Sequence, residues 1–437
     1  NGLWNGNWEG KYPSQSEADL GLCNKLAYYW NKDFNAIDRL FQQSGLYRKK
    51  WDREDIKNDT IDKAIAGTTS TYQERKERQV PDQPPETKTQ TVSILKQTEL
   101  AKTDAYFCEQ LKQQHGHNLM WCDIWGCWLI WDGKRWKTDN HREIYDYAHK
   151  LVNFYLKKAL DTHDVKGQQF WMDVAKSSSA NSKQKNVVDM LKSQVPTHPD
   201  ELDTQPMLLN CGNGTIDLET GKLQKHRQQD LITKITNTNY DPGAECPRWM
   251  RFLDEIFNSN QNLIKFMQRA VGYALTSEIR EHILLVLHGT GRNGKSTLLE
   301  TMIDILGDYA KPSAPDLLMQ KRNDTHPTEI AELKGMRFVA CIETEEGHRM
   351  KEALVKRLTG GDTQKGRFIH QDWFEFRQTH KLFLAVNRKP DIRGTDEGIW
   401  SRIRLIPFDI KIDDDKQDFK LMEKLIKEAP GILAWAI

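Results

Sequence analysis

At 437 residues the chain is too long for one ordinary core, and its length predicts roughly three domains. With 38% apolar and 29% charged residues the composition is that of a globular protein and excludes global disorder, while a formal net charge of +1 confines any nucleic-acid contact to local basic patches. No run of about 18 uncharged apolar residues and no charged-apolar-small leader occurs, so neither a membrane span nor a signal peptide is expected and the cytoplasm is the default compartment.

Residues 14 to about 66 predict short helices. Ser16 precedes an acidic first turn (Glu17, Asp19), and Leu22, Leu26, Tyr29 and Trp30 recur at helical spacing. A second helix starts after Asp33, with Ile37, Leu40 and Phe41 on one face and Gly45 placed to end it; Ile61, Ala64 and Ile65 mark a third. Arg48, Lys49, Lys50 and Trp51 set cations beside an aromatic ring, which suits a nucleic-acid backbone, although a solvated loop is the commoner meaning of such a run. The stretch VPDQPPETKTQT, rich in Pro and polar residues, is a linker.

Beyond it the reading is mixed. A helix is expected from about 95 to 114, then an aromatic hairpin over 121–136 turning at Asp132 and Gly133, more helix over 143–159, and short strands near 207–225 around a turn at Glu219, Thr220 and Gly221. The tryptophans of the hairpin suit a core better than base-stacking platforms. Cys122 and Cys127, with His115 and His117 upstream, lack a second pair downstream, so a structural core role is expected over zinc. The seven cysteines are scattered and odd in number, which fits a reducing compartment better than a disulfide framework. From about 246 onward apolar runs at 283–287, 338–342 and 382–386 alternate with helical segments, the pattern of a largely parallel sheet with crossover helices. The chain opens on Asn1, and 430–437 reads as an apolar helix without a cap, as in a piece of a longer polypeptide.

The sharpest motif is Gly289, Thr290, Gly291, Arg292, Asn293, Gly294, Lys295 and Ser296, which follows a strand and opens a helix beginning at Thr297. This strand, loop and helix context is the one a phosphate-binding loop requires: glycines let the backbone curl round a phosphate, and the helix start offers free N–H groups. Lys295 is expected to reach the β and γ phosphates of ATP and Ser296 to ligate Mg²⁺. After the strand at 337–342 comes Glu343, with Glu345 and Glu346 close behind. A carboxylate at such a strand end would hold Mg²⁺ and activate the attacking water. The strand at 381–386 ends in Asn387, placed to orient that water or sense the γ-phosphate; capping the following turn is the plainer alternative. Arg402 and Arg404 read as two guanidiniums on one side of a strand, candidates for a finger into a neighbouring subunit's pocket, against surface salt-bridging arginines.

These motifs, together with His326, Pro327 and Thr328, LTGGD at 358–362 and GTDEGIWSRIRLIPF at 394–408, resemble the superfamily 3 helicase domain of phage, plasmid and poxvirus primase-helicases. LLNCGNGTIDL at 208–218 resembles the segment preceding that motor. YPSQSEADL at 12–20 and IDRLFQQSGL at 37–46 resemble the helical bundle that follows the primase-polymerase domain in phage replication proteins. Some members carry two adjacent acids at the second motif; here Ile342 precedes a single Glu343, as in the primase branch.

The resemblance implies a helical bundle over 1–78, a linker over 79–92, a mixed α+β collar-type segment over 93–240 and, over 241–437, an α/β P-loop ATPase motor that is AAA+-like. It implies an ATP- and Mg²⁺-dependent DNA helicase acting as a homo-oligomeric ring, a hexamer moving 3′ to 5′, on single-stranded and forked DNA, in the host cytoplasm if phage-encoded. It also implies an N-terminal primase-polymerase in the full-length chain. In such rings a hairpin before the Asn-bearing strand meets DNA, which points to Lys365, Arg367 and His370 within TQKGRFIHQDWFEF at 363–376, with Trp373 packing in the hairpin or stacking on a base. The rival expectation is a nucleotide-dependent loader that forms rings and binds DNA without unwinding it. A small-molecule kinase is disfavoured, since no lid-like arginine set is visible.

Overall fold

Helix starts are set by the side chains that satisfy the first free N–H groups, and the N-terminal helices show where. The computed structural model describes residues 2–69, 71, 100–314, 317–320, 327–342, 349–369, 372–394 and 396–437. The chain divides into two compact units, Asn1–Ile94 and Leu95–Ile437. In the first, α1 (Gln15–Tyr29) is capped by Ser14, whose hydroxyl accepts from the Glu17 amide, two residues earlier than the expected cap at Ser16. Asp33 caps α2 (Phe34–Gln42) by accepting from the amides of Asn35 and Ala36, and α3 (Glu54–Gly67) follows. Their apolar faces close on Leu22, Leu26, Ile37, Phe41, Ile61 and Ala64, with Trp51 stacked on Phe41 at 3.7 Å.

Two expectations for this unit are corrected. Gly45 does not end α2, which stops at Gln42; its amide donates to the Trp4 carbonyl, and a Cβ there would lie 2.6 Å from the Asn5 backbone, so it is the close pass of the N-terminal strap that requires glycine. Nor do Arg48 and Trp51 form a basic-aromatic face. Arg48 pairs with Asp19 and Gln15, and Trp51 is buried with its Nε1 donating to Asp38 at 2.8 Å. Lys49 and Lys50 alone of that run are exposed.

The second unit begins with α4 (Asp104–His115), capped by Thr103. The aromatic stretch forms a meander rather than a single hairpin: β1 (Leu119–Cys122), β2 (Cys127–Trp131) and β3 (Trp136–Thr138) pair antiparallel, and β4 (Pro196–Thr197) joins β1 in parallel. Trp128 and Trp136 are buried, the core role expected of them, and Cys122 lies directly opposite Cys127. Three helices cover the meander: α5 (Ile144–Leu160), α6 (Val165–Ser178) and α7 (Asn181–Lys192). The last two were not anticipated, because their Lys-, Gln- and Ser-rich sequences bury only a narrow stripe (Val174, Val187, Val188, Leu191). A small antiparallel sheet follows, β5 (Leu208–Cys211), β6 (Gly214–Asp217) and β7 (Lys222–Gln224), then α8 (Pro247–Ile256) and α9 (Gln261–Leu275).

The rest is built on one all-parallel sheet of β8 (Leu284–His288), β9 (Ala310–Ser313), β10 (Phe338–Ile342), β13 (Lys381–Val386) and β14 (Ile403–Pro407), in the order β14-β8-β13-β10-β9. Connecting elements are α10 (Lys295–Leu306), α11 (Pro327–Ala331), α12 (Glu352–Thr359), the hairpin β11 (Gln364–Gly366) and β12 (Phe374–Phe376), and α13 (Glu397–Trp400), with α14 (Leu421–Lys427) and α15 (Ala429–Ala436) at the end. Alternate strand residues feed two cores: Leu285, Leu287, Ala340 and Phe383 meet α8, α9, α10 and α15, while Leu284, Val286, Cys341 and Leu384 meet α12. A sheet covered on both faces explains the unbroken apolar runs.

Buried cations stitch the sheet's lower edge to what precedes it. Arg337, at the foot of β10, donates to the carbonyls of Leu275 and Leu208, and Lys381, the first residue of β13, donates to the Thr276 carbonyl at 2.6 Å. Both therefore satisfy carbonyls at the C-terminal end of α9, where positive charge is favoured. Asn210 in β5 is fully buried, its amide donating to the carbonyls of Lys134 and Lys234 and its oxygen accepting from Thr215. No helix among the described residues is long and apolar enough to cross a membrane.

Candidate nucleotide site

The site is assembled by strand register. Val386 pairs with His288, so the residues that follow, Asn387 and Gly289, leave the sheet side by side, and the Gly289 amide donates to the Val386 carbonyl at 3.2 Å. The loop then turns back into α10, with Gly294 at φ +86 as its cap; a Cβ at Gly294 would lie 2.5 Å from Ile256, so both the backbone angle and the packing demand glycine. At Gly289 a Cβ would run into the Phe408 carbonyl. Asn293 is buried and serves the loop itself, its amide donating to the carbonyls of Thr290 at 2.8 Å and Phe408 at 3.1 Å. Thr290, Gly291, Arg292 and Ser296 are exposed along the loop, and Thr297 is half-buried.

Lys295 is only 6% exposed. Its ammonium donates to the Gly289 carbonyl, to Asn293 Oδ1 at 3.0 Å and to Asn387 Oδ1 at 3.4 Å. Two of the residues singled out from sequence, 92 positions apart, thus meet over the mouth of the loop. Burial among neutral oxygens holds the amine below its usual pKa. A cation so placed, with open space beside Gly291 and a helix start next to it, fits the phosphates of a nucleotide.

Glu343 lies outside the described residues, as does His370; the strand before Glu343 ends with Ile342 beside Ala385. The arginines are not a matched pair. Arg404 sits within β14, whereas Arg402 precedes the strand and its guanidinium turns to Thr359 Oγ1, at 3.2 Å, and the Gly398 carbonyl. Arg404 meets only the carbonyls of Ser401 and Ile403 nearby and forms no ion pair among the described residues. The two point differently because the turn at 401–402 lets Arg402 fold back on α12 and α13.

The hairpin is present, with Lys365 opposite Glu375 and Gly366 opposite Phe374. Lys365 and Arg367 are exposed, and both lie over the Trp373 ring, Arg367 at 5.1 Å and Lys365 at 6.0 Å. Trp373 is 49% and Ile369 64% exposed, so the ring is no core residue.

Sequence reasoning missed two neighbours of the loop motif, His288 and the segment after β14. His288 ends β8 next to the loop, its ring held below the usual imidazole range by burial and then by Lys389. Arg292, in the left-handed region at φ +65, pairs with Asp414, and its carbonyl accepts from Ile412, so the segment after β14 lines the loop. Neither carries a motif; only the proximity of β14 to β8 reveals them.

Comparisons with known proteins match three separate stretches of the chain. Residues 15–74 match the family described as "NrS-1 polymerase HBD domain", residues 108–258 match "D5 N terminal like", and residues 287–402 match a family of unknown function, DUF5906. "Putative helicase L207/L206" of Acanthamoeba polyphaga mimivirus is 27% identical over 69% of this chain and 34% of its own length. "Putative helicase 121R" of Invertebrate iridescent virus 3 is 28% identical over 48% of this chain and 24% of its own. "Putative primase C962R" of African swine fever virus is 28% identical over 46% and 22%. The chain therefore spans about a third or less of these curated relatives. The apo C-terminal region of NrS-1 superposes with a TM-score of 0.36 at 12% identity, over 49% of this chain and 56% of that one, too loosely to define the fold. The matches support kinship with the phage and viral primase-helicases.

Proposed function

We propose that this chain is the motor portion of a replication helicase of the superfamily 3, AAA+-like kind, hydrolysing ATP between subunits of a homo-oligomeric ring, a hexamer by analogy, to translocate on single-stranded DNA and open forked duplex. In the full-length protein a primase-polymerase precedes it. The observation that carries the reading is the buried Lys295 amine, held by neutral oxygens and touching Asn387 where two adjacent parallel strands end. The names of the viral relatives agree with it.

In this mechanism Lys295 binds the β and γ phosphates, the exposed amides of the loop cradle them, and Asn387 orients the attacking water, for which Glu343 is the proposed base. Ser296 and Glu343 are the residues that would hold Mg²⁺, which would supply charge neutralisation at the phosphate oxygens. The arginine acts in trans. Ile403 is paired with Leu284 and Pro407 with His288, so the Arg404 backbone stands about 10 Å of strand short of the loop in its own chain, which favours a nucleotide of a neighbouring copy. Arg402 is already bonded within the chain, which favours Arg404 as the finger.

Mixing the chain with forked DNA, ATP and Mg²⁺ tests the proposal. DNA-stimulated hydrolysis with strand displacement is the expected result. Stimulation without displacement makes the chain a loader, and no hydrolysis rejects the motor.

A further inference from the structure

Lys334 lies in the turn after α11, its amide bonded to the Ala331 carbonyl at 3.2 Å. Its ammonium stands 4.8 Å from the ring centre of Trp125, in the β1–β2 turn, and 4.9 Å from that of Phe374, the first residue of β12. No described carboxylate stands within ion-pair distance of it, and the charges of Asp200 and Asp203 act on it only from farther away. A single half-desolvated cation is therefore shared by an aromatic ring of the collar segment and one at the root of the basic hairpin, a geometry in which ring faces replace water around the charge.

The same short segment braces the hairpin from its other strand. A Cβ on Gly366 would lie 2.8 Å from the Ala331 amide, and Thr328 Oγ1 donates to the Arg367 carbonyl at 3.2 Å. Toward the tip, Phe374 stacks on Phe368 at 5.6 Å. A contact row thus runs Phe368, Phe374, Lys334, Trp125, from the exposed end of the hairpin to the collar.

We infer that Lys334 is a positioning residue that fixes the hairpin root to the collar turn through Trp125, so that a load placed on the hairpin by single-stranded DNA is carried by the collar rather than lost in tilting of the hairpin. This rests on the motor reading above. The test is a mutant cycle.

The full chain is compared with Lys334→Met, which keeps length and removes charge, Lys334→Arg, which keeps charge, Trp125→Leu, and Lys334→Met with Trp125→Leu. Thermal midpoint, basal ATPase, ATPase stimulated by a single-stranded oligonucleotide, and fork displacement are read for each. Lys334→Met and Trp125→Leu should each leave midpoint and basal rate near wild type and lower stimulation and displacement by about threefold or more, the scale of one such contact. Lys334→Arg should restore them, and the double variant should be no worse than either single. Full stimulation in Lys334→Met, no rescue by Arg, additive losses, or a fall in basal rate or midpoint matching the fall in stimulation overturns the inference while leaving the motor standing. A wild-type chain with no DNA-stimulated hydrolysis overturns both.

Discussion

At the scale of single residues, the site depends on a lysine kept dry. Lys295→Ala removes the cation at the loop mouth while Asn293 still bonds Thr290 and Phe408, so ATP turnover should vanish with the thermal midpoint little changed; turnover at the wild-type rate would reject the assignment. A second residue predicts a pH dependence. His380, 1% exposed at the foot of β13, has its pKa pushed down to about 3 by burial and by the neighbouring Lys381 charge. Its folded pKa lies below the unfolded value, so stability is complete above about pH 6.5 and falls as pH drops toward 3, because the unfolded chain binds a proton that the fold refuses. The slope reaches at most about 1.4 kcal/mol per pH unit. Urea midpoints between pH 7 and pH 5 should fall less steeply for His380→Leu than for the native chain; equal slopes would remove the histidine from the account.

At the scale of elements, the hairpin proposed to meet DNA can be tested apart from hydrolysis. Its cations are exposed and rest on Trp373, while Lys295 and Asn387 bond one another at the loop. Lys365→Ala with Arg367→Ala should therefore weaken single-stranded DNA binding for all sequences alike and flatten the salt dependence by about 1.4 in log–log slope, at roughly 0.7 per phosphate lost. Basal ATPase should persist. An unchanged salt slope in filter or anisotropy titrations would move the DNA contact elsewhere. Arg48 is unsuited as the alternative, since it is committed to Asp19 and Gln15.

At the scale of the whole molecule, the proposed finger needs a second copy of the chain. If Arg404 serves a second copy, rings mixed from Lys295→Ala and Arg404→Ala chains contain interfaces with one intact loop and one intact finger, and some ATPase should return although each variant alone is inactive. Arg402→Ala should instead lower the thermal midpoint, because it breaks bonds to Thr359 and Gly398 inside the chain. Absence of recovery in verified mixed rings, or recovery with Arg402→Ala in place of Arg404→Ala, would reverse the roles.

The amino-acid sequence by itself determined what local chemistry dictates. The glycines, lysine and serine of the loop, the apolar runs of the sheet, the hairpin of alternating residues and the first three helices, though not all their ends, were legible, because each is specified by spacing within a few residues. Tertiary structure alone decided what depends on strand register or on a distant partner. It brought Asn387 to Lys295, turned Arg402 away from Arg404, spent Arg48 on Asp19, set the segment after β14 beside the loop and placed Lys334 between Trp125 and Phe374. The physical reason is that hydrogen bonds and ring contacts act over a few ångströms whatever the sequence separation, so a side chain's role is open until packing chooses its neighbours.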